Sequence, residues 1–156
     1  MFRRGDAFQR GPVFRVTRRY AFAASHRLHS PQLGDEENRR IYGKCNNPYG
    51  HGHNYLIDVS ARGPADDATG LAVNVAALDD LVRREILQPF GHSNLNTDTD
   101  AFQGVVPTSE NLAVEICRRL KRHWSAAFPG GWPKLEKIRI AETERNIFEL
   151  GADEIE

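Results

Sequence analysis

Hydrophobic and polar positions first alternate, imperfectly, over residues 13–25, where Val13, Arg15, Thr17 and Arg19 stand against Phe14, Val16, Arg18 and Tyr20. The β-branched and aromatic content of that stretch favours a strand. A polar segment follows from His29, with Pro31 and Gly34, and turn residues continue from Gly43 to Gly50 around a possible short helix at 36–42. So long a loop in a compact domain is usually functional. Residues 53–62 read as a second strand, with Tyr55, Ile57 and Val59 on one side and Leu56, Asp58 and Ser60 on the other, before a turn at 63–70.

The period then changes. Asn74 can cap a helix whose apolar positions Val75, Leu78, Leu81, Val82 and Ile86 recur at helical spacing and which ends before Pro89 and Gly91. A second helix starts near Thr108, carries Leu112, Ile116, Leu120 and Trp124 at intervals of four, and stops before Pro129. Leu135, Lys137 and Arg139 alternate with Glu136, Ile138 and Ile140, and a turn at 144–146 leads into 147–150, a closing hairpin. Strands at both ends of the chain with two helices between them imply an α+β domain over residues 13–152, a four-stranded antiparallel sheet covered on one face by two helices. Residues 1–12 lack the apolar core of a signal peptide, and although their early arginines resemble those of a transit peptide, Asp6 and the absence of serine before Ser25 favour a disordered leader.

Composition narrows the class. At 156 residues and 40% hydrophobic content the chain supports one core without disulfides. Its 21 basic and 21 acidic residues leave no net charge, so there is no electrostatic case for nucleic acid or an acidic membrane as partner. Cys45 lies in a Gly/Asn/Pro loop and Cys117 beside Ile116 on a buried helix face. A reducing, cytoplasmic setting is expected, with Cys117 in the core.

The chemistry concentrates in three histidines and one cysteine. In a strand His51 and His53 point the same way, with Gly52 expected to leave room for a metal between them. His26, at the end of another strand-like stretch, brought across the sheet gives a three-nitrogen site with one open position, which suits catalytic zinc. A Cys45 thiolate closing the tetrahedron would instead make the site structural, as in a non-catalytic zinc-binding module.

The segment GKCNNPYGHGHNY (43–55) closely resembles the signature of the 6-pyruvoyl tetrahydropterin synthase family. FAASH (22–26) resembles the family's first zinc segment, PTSEN (107–111) its second-helix start and AETERNI (141–147) its pterin-anchoring hairpin. The resemblance implies the tunnelling fold, or T-fold, and a zinc lyase that converts 7,8-dihydroneopterin triphosphate to 6-pyruvoyl-tetrahydropterin with loss of triphosphate. It implies His26, His51 and His53 as zinc ligands and Cys45 as a proton-transferring base with a lowered pKa. Glu142, on the next-to-last strand, would hold the pterin's N–H edge, with Thr108 and Ser109 adding donors. A homohexamer built as a dimer of trimers is implied, with His92 activating the cysteine across a subunit boundary. The family's aspartate before that histidine is Gly91 here, leaving Asp98, Asp100 and Asp35 as substitute carboxylates. The 6-carboxy-tetrahydropterin synthase of queuosine biosynthesis is the nearest alternative. The five residues between Cys45 and His51 resemble the pyruvoyl enzymes, since the queuosine enzymes generally use a shorter gap.

Overall fold

A computed structural model describes residues 11–156. β1 (Val13–His26) and β2 (His51–Pro64) pair antiparallel along their whole length, from Val13 opposite Pro64 to His26 opposite His51. That register joins the two ends of the long loop and puts all three histidines at one end of the sheet. Alternation does the rest: Phe22, Ala24 and His26 of β1 and Tyr55, Ile57, Val59 and Ala61 of β2 are buried on one face. β3 (Ser93–Asn94) is a short strand. β4 (Lys134–Ala141) and β5 (Ile147–Gly151) form the closing hairpin, and the sheet runs β3-β1-β2-β4-β5.

Helix α1 (Asp35–Tyr42) lies in the loop between β1 and β2, followed by a 3₁₀ turn at Gly43–Asn46 that carries Cys45. α2 (Val75–Val82) is capped by Asn74, whose side chain accepts the Ala77 N–H, and α3 (Ser109–Ala127) by Thr108, whose hydroxyl accepts that of Asn111. Leu78, Leu81, Val82 and Ile86 pack with Leu112, Ile116, Cys117 and Leu120 onto Tyr55, Ile57, Val59, Ile138 and Ile140 in one hydrophobic cluster. Cys117 therefore sits in the core.

The α+β architecture and the helix-covered face are as expected, but the sheet has five strands rather than four and is not wholly antiparallel. β3 runs parallel to the end of β1, Ala24 opposite Ser93 and Ser25 opposite Asn94. The His92 N–H donates to the Ala23 carbonyl at 2.6 Å and the Leu95 N–H to that of Ser25 at 2.8 Å. Two residues are too short for any alternation to show. The helix begun by α2 also outlasts its expected end: a π turn (Arg83–Leu87) lets a last α-helical turn, Gln88–Phe90, take in Pro89. The leader expected over residues 1–12 lies outside the described residues except for Gly11 and Pro12, which precede β1.

Candidate active site

His26 ends β1 and His51 opens β2 directly opposite it, so the pairing that builds the sheet also builds the site. The ring of His26 lies 5.0 Å from that of His51 and 4.9 Å from that of His53, near perpendicular to both. Gly52 has the opposite role from that expected. It is exposed on the other face, and a Cβ there would meet only the Ala24 carbonyl at 3.7 Å, so the shared face of His51 and His53 comes from the strand period alone. Gly50 is the constrained glycine. At φ +71° its missing Cβ would stand 2.9 Å from the His26 carbonyl oxygen, and that close approach returns the Cys45 loop beside β1.

The hydrogen-bond chemistry fixes the tautomer of His26. Its Nδ1 lies 2.9 Å from the Pro107 carbonyl oxygen, which can only accept, so Nδ1 carries the proton. Nε2 is then a bare lone pair, buried and without a partner among the described residues. An imidazole held by a backbone carbonyl through one nitrogen and presenting the other unpaired is the usual bearing of a metal ligand. The Tyr55 hydroxyl lies 3.3 Å from the same Nδ1. Nε2 of His51 and Nε2 of His53 face each other at 2.8 Å, a separation that requires a proton or a cation between two lone pairs. Nδ1 of His51 is also without a partner, so that ring lacks the second bond that orients His26. Burial lowers the pKa of His26 and His53 and keeps both neutral near pH 7, the form that ligates.

Cys45 and Glu142 complete the donor set. The donor atoms of His26, Cys45 and His51 lie within 4.8 Å of one another, as do those of His26, His53 and Glu142. Glu142 sits one residue past β4, not on it as expected, and its backbone N–H reaches the Asn146 carbonyl at 3.1 Å. One carboxylate oxygen lies 3.1 Å from His53 Nε2, and the other accepts the Ser109 hydroxyl at 2.5 Å. Ser109 therefore orients the carboxylate, while the Thr108 hydroxyl is engaged in capping α3. Burial and the charge of Glu142 push the Cys45 thiol up, opposite to the shift expected for a base, so a thiolate there calls for a nearby positive charge.

Cys45, His51, His53 and Glu142 line a cavity of about 970 Å³, with His26 buried behind them, and His92 does not line it. His92 lies instead in a recess with Ser93, Asn94, Asp98 and Asn54, at φ +55°, a left-handed conformation uncommon outside glycine, though histidine adopts it more readily than most residues. Asp98 shares that recess and accepts the Asn94 N–H at 2.7 Å. Asp35 lines the Cys45 cavity, and Asp100 starts a 3₁₀ turn at Asp100–Phe102. Gly91 has an ordinary φ of −61°, yet a Cβ there would stand 2.5 Å from the Leu87 carbonyl oxygen. The Pro107 carbonyl, Tyr55 and the orienting part played by Ser109 were not legible in the sequence.

Three imidazoles, a thiol and a carboxylate brought together at one end of the sheet define the class: an α+β enzyme site able to hold a metal. A model of the 6-pyruvoyl tetrahydropterin synthase family matches residues 15–153. The 6-pyruvoyl tetrahydrobiopterin synthases of Poecilia reticulata and Homo sapiens are each 46% identical over 132 residues, covering 85% of this chain and 86% and 87% of theirs. The solved structure of the Caenorhabditis elegans 6-pyruvoyl tetrahydropterin synthase superposes with a TM-score of 0.82 at 37% identity, covering 91% of this chain and 97% of that one. The chain belongs to the 6-pyruvoyl tetrahydropterin synthase family.

Proposed function

We propose that this chain is a zinc-dependent lyase that converts 7,8-dihydroneopterin triphosphate to 6-pyruvoyl-tetrahydropterin and free triphosphate. The observation that carries this reading is the orphaned lone pair of His26 beside His51, His53 and Cys45, in a chain 46% identical to proteins named as 6-pyruvoyl tetrahydrobiopterin synthases. His26, His51 and His53 would hold the ion, which when bound supplies a positive charge that acidifies the side-chain hydroxyls and the carbons bearing them. Cys45 takes and returns protons along the side chain. Glu142, steadied by Ser109, accepts the N–H edge of the pterin, and Thr108 at the start of α3 faces the same end of the fold. The reaction needs no external oxidant: the side-chain carbons are oxidised as the ring's C=N bond is reduced, and the C–O bond to triphosphate breaks.

His92 and Cys45 do not share a cavity within one chain, which supports a site completed by a neighbouring subunit's His92 in a cytoplasmic hexamer of two trimers. Asp98 lines the same recess as His92, which supports it over Asp35 and Asp100 as the carboxylate that would stand in for the one absent at Gly91. Incubating the purified protein with dihydroneopterin triphosphate and identifying products by mass tests the assignment. The pyruvoyl product is expected, a 6-carboxy product would move the chain to the queuosine reaction, and no turnover by zinc-loaded protein would leave a non-catalytic zinc module.

A further inference from the structure

The cavity is electrically lopsided in a way that the proposed chemistry does not use. Glu142, His51 and His53 line it half-buried, Arg27 is half-buried beside them, Arg39 and Lys44 line it as exposed residues, and none of these three cations forms an ion pair among the described residues. Among the described residues seven other arginines are paired, among them Arg18 with Asp79, Arg19 with Asp58 and Arg119 with Glu115, whereas Arg40, Arg62, Arg118, Arg122 and Arg145 are not; what sets Arg27, Arg39 and Lys44 apart is that they share one cavity. Among the described residues, Asp35 and Glu142 are the carboxylates that line the cavity with the three cations. In a chain with no net charge, three cations and one exposed carboxylate around one cavity give its lining a local positive excess that favours an anionic ligand.

The segments that carry these cations are held firmly. Asn96 clamps the backbone of Arg27 from both sides, accepting its N–H at 2.7 Å and donating to its carbonyl at 2.9 Å. Nε of Arg27 donates to the Asn46 carbonyl at 3.2 Å, which leaves the terminal nitrogens of the guanidinium uncommitted. The buried amide of Asn46 donates to the Leu28 carbonyl at 2.8 Å and contacts Nδ1 of His29 at 3.0 Å. A carbonyl requires a donor, so the amide orientation is set, Nδ1 of His29 accepts, and its Nε2 carries the proton. Asn38, fully buried, accepts the Ser30 N–H and donates to the carbonyls of Ser30, Leu33 and Gly34, which ties the β1–α1 loop to the helix bearing Arg39.

We propose that Arg27, Arg39 and Lys44, with the N–H of His29, form a subsite for the oligophosphate end of the substrate. The assignment rests on the proposed function for the nature of that end, but its chemistry stands by itself. Guanidinium groups pair phosphate oxygens through paired N–H bonds and an ammonium adds a point charge, a donor set with no acceptor for a neutral ring. Arg39 and Lys44 on the exposed lining and the half-buried Glu142 beside the imidazoles give the substrate one orientation, pterin inward and phosphates outward. The same subsite would retain the triphosphate after the C–O bond breaks.

The test is calorimetric titration of the full chain with inorganic tripolyphosphate and, separately, with unphosphorylated 7,8-dihydroneopterin. Arg39→Gln, on an exposed helix position, should weaken tripolyphosphate by about tenfold and the triple variant Arg27→Gln/Arg39→Gln/Lys44→Gln by about a hundredfold or more. Asp35→Asn, which removes the opposing charge, should strengthen it. Metal extraction by the probe is common to all four proteins and cancels in the comparison. Equal tripolyphosphate affinity in wild type and Arg39→Gln, or a weaker Asp35→Asn, overturns the subsite. Retention of dihydroneopterin by Arg39→Gln assigns the loss to the phosphate end. If wild type binds tripolyphosphate with these variant effects but neither binds dihydroneopterin nor turns over its triphosphate, the subsite stands and the proposed function fails.

Discussion

The two nitrogens of His26 have opposite duties, one spent on the Pro107 carbonyl and one left bare in the interior. A buried lone pair without a partner costs free energy that an ion recovers, so His26→Ala and His51→Ala should each lower bound zinc well below the roughly one ion per chain expected of wild type, by metal analysis. Cys45→Ala should keep the ion and lose turnover, since base and ligand set are separate in the proposed reaction. A thiolate-to-metal absorption band in cobalt-substituted wild type would instead make Cys45 a ligand. Burial holds the pKa of His26 and His53 below the ordinary 6.5 in the folded protein, so the unfolded chain takes up protons first as pH falls. Stability of metal-free protein is therefore expected to be flat above pH 7 and to fall as pH drops below 6.5 towards the folded-state values, read as a falling midpoint in urea. Asp58, held low by Arg19 and Arg139, contributes its own loss only below its ordinary 3.8, so the two effects separate along the pH axis.

Loops and turns position the site, and single residues in them carry much of that structure. Asn38 satisfies four backbone groups with one buried amide, and Asn38→Ala should cost about 2 kcal/mol or more and loosen the β1–α1 loop, checked by urea unfolding and by hydrogen exchange at Ser30. Gly91 is required for space. Gly91→Asp would press a Cβ on the Leu87 carbonyl at the end of the π turn, so the variant should lose about 2 kcal/mol of stability by the same measurement and gain no activity. Helix ends were legible because Asn74 and Thr108 announce them chemically. The extension through Pro89 was not, since a π turn leaves no mark in apolar spacing. Nor was β3, where two residues bond to the edge of β1 only because α2 and the turn after it bring them there.

Across the whole molecule, the sheet face away from the helices is dressed for contact with something other than bulk water alone. Asp58 is only 8% exposed there, covered from both neighbouring strands by Arg19 and Arg139, with Glu149 next in the row. The adjacent row sets Leu56 beside Ala21 and Ala141, with Ile147 at the edge, and Leu56 and Ile147 are exposed. An apolar row next to an ion-paired one, beside the open edge of β5, suits association of like subunits. Light scattering at micromolar concentration is expected to give about six times the chain mass, and a monomeric mass would end the proposal of a shared site.

Alternation and helical spacing determined the long strands, the two core helices, their caps and the shared face of His51 and His53, because each is a local consequence of backbone period. The motif around Cys45 determined the family. Tertiary structure decided what depends on residues far apart in the chain. The strand register set His26 against His51, the Pro107 carbonyl fixed the tautomer of His26, and Ser109 turned from a cap neighbour into the partner of Glu142. None of these is periodic: each is a contact between atoms whose separation along the chain carries no pattern, so only the folded arrangement could fix it.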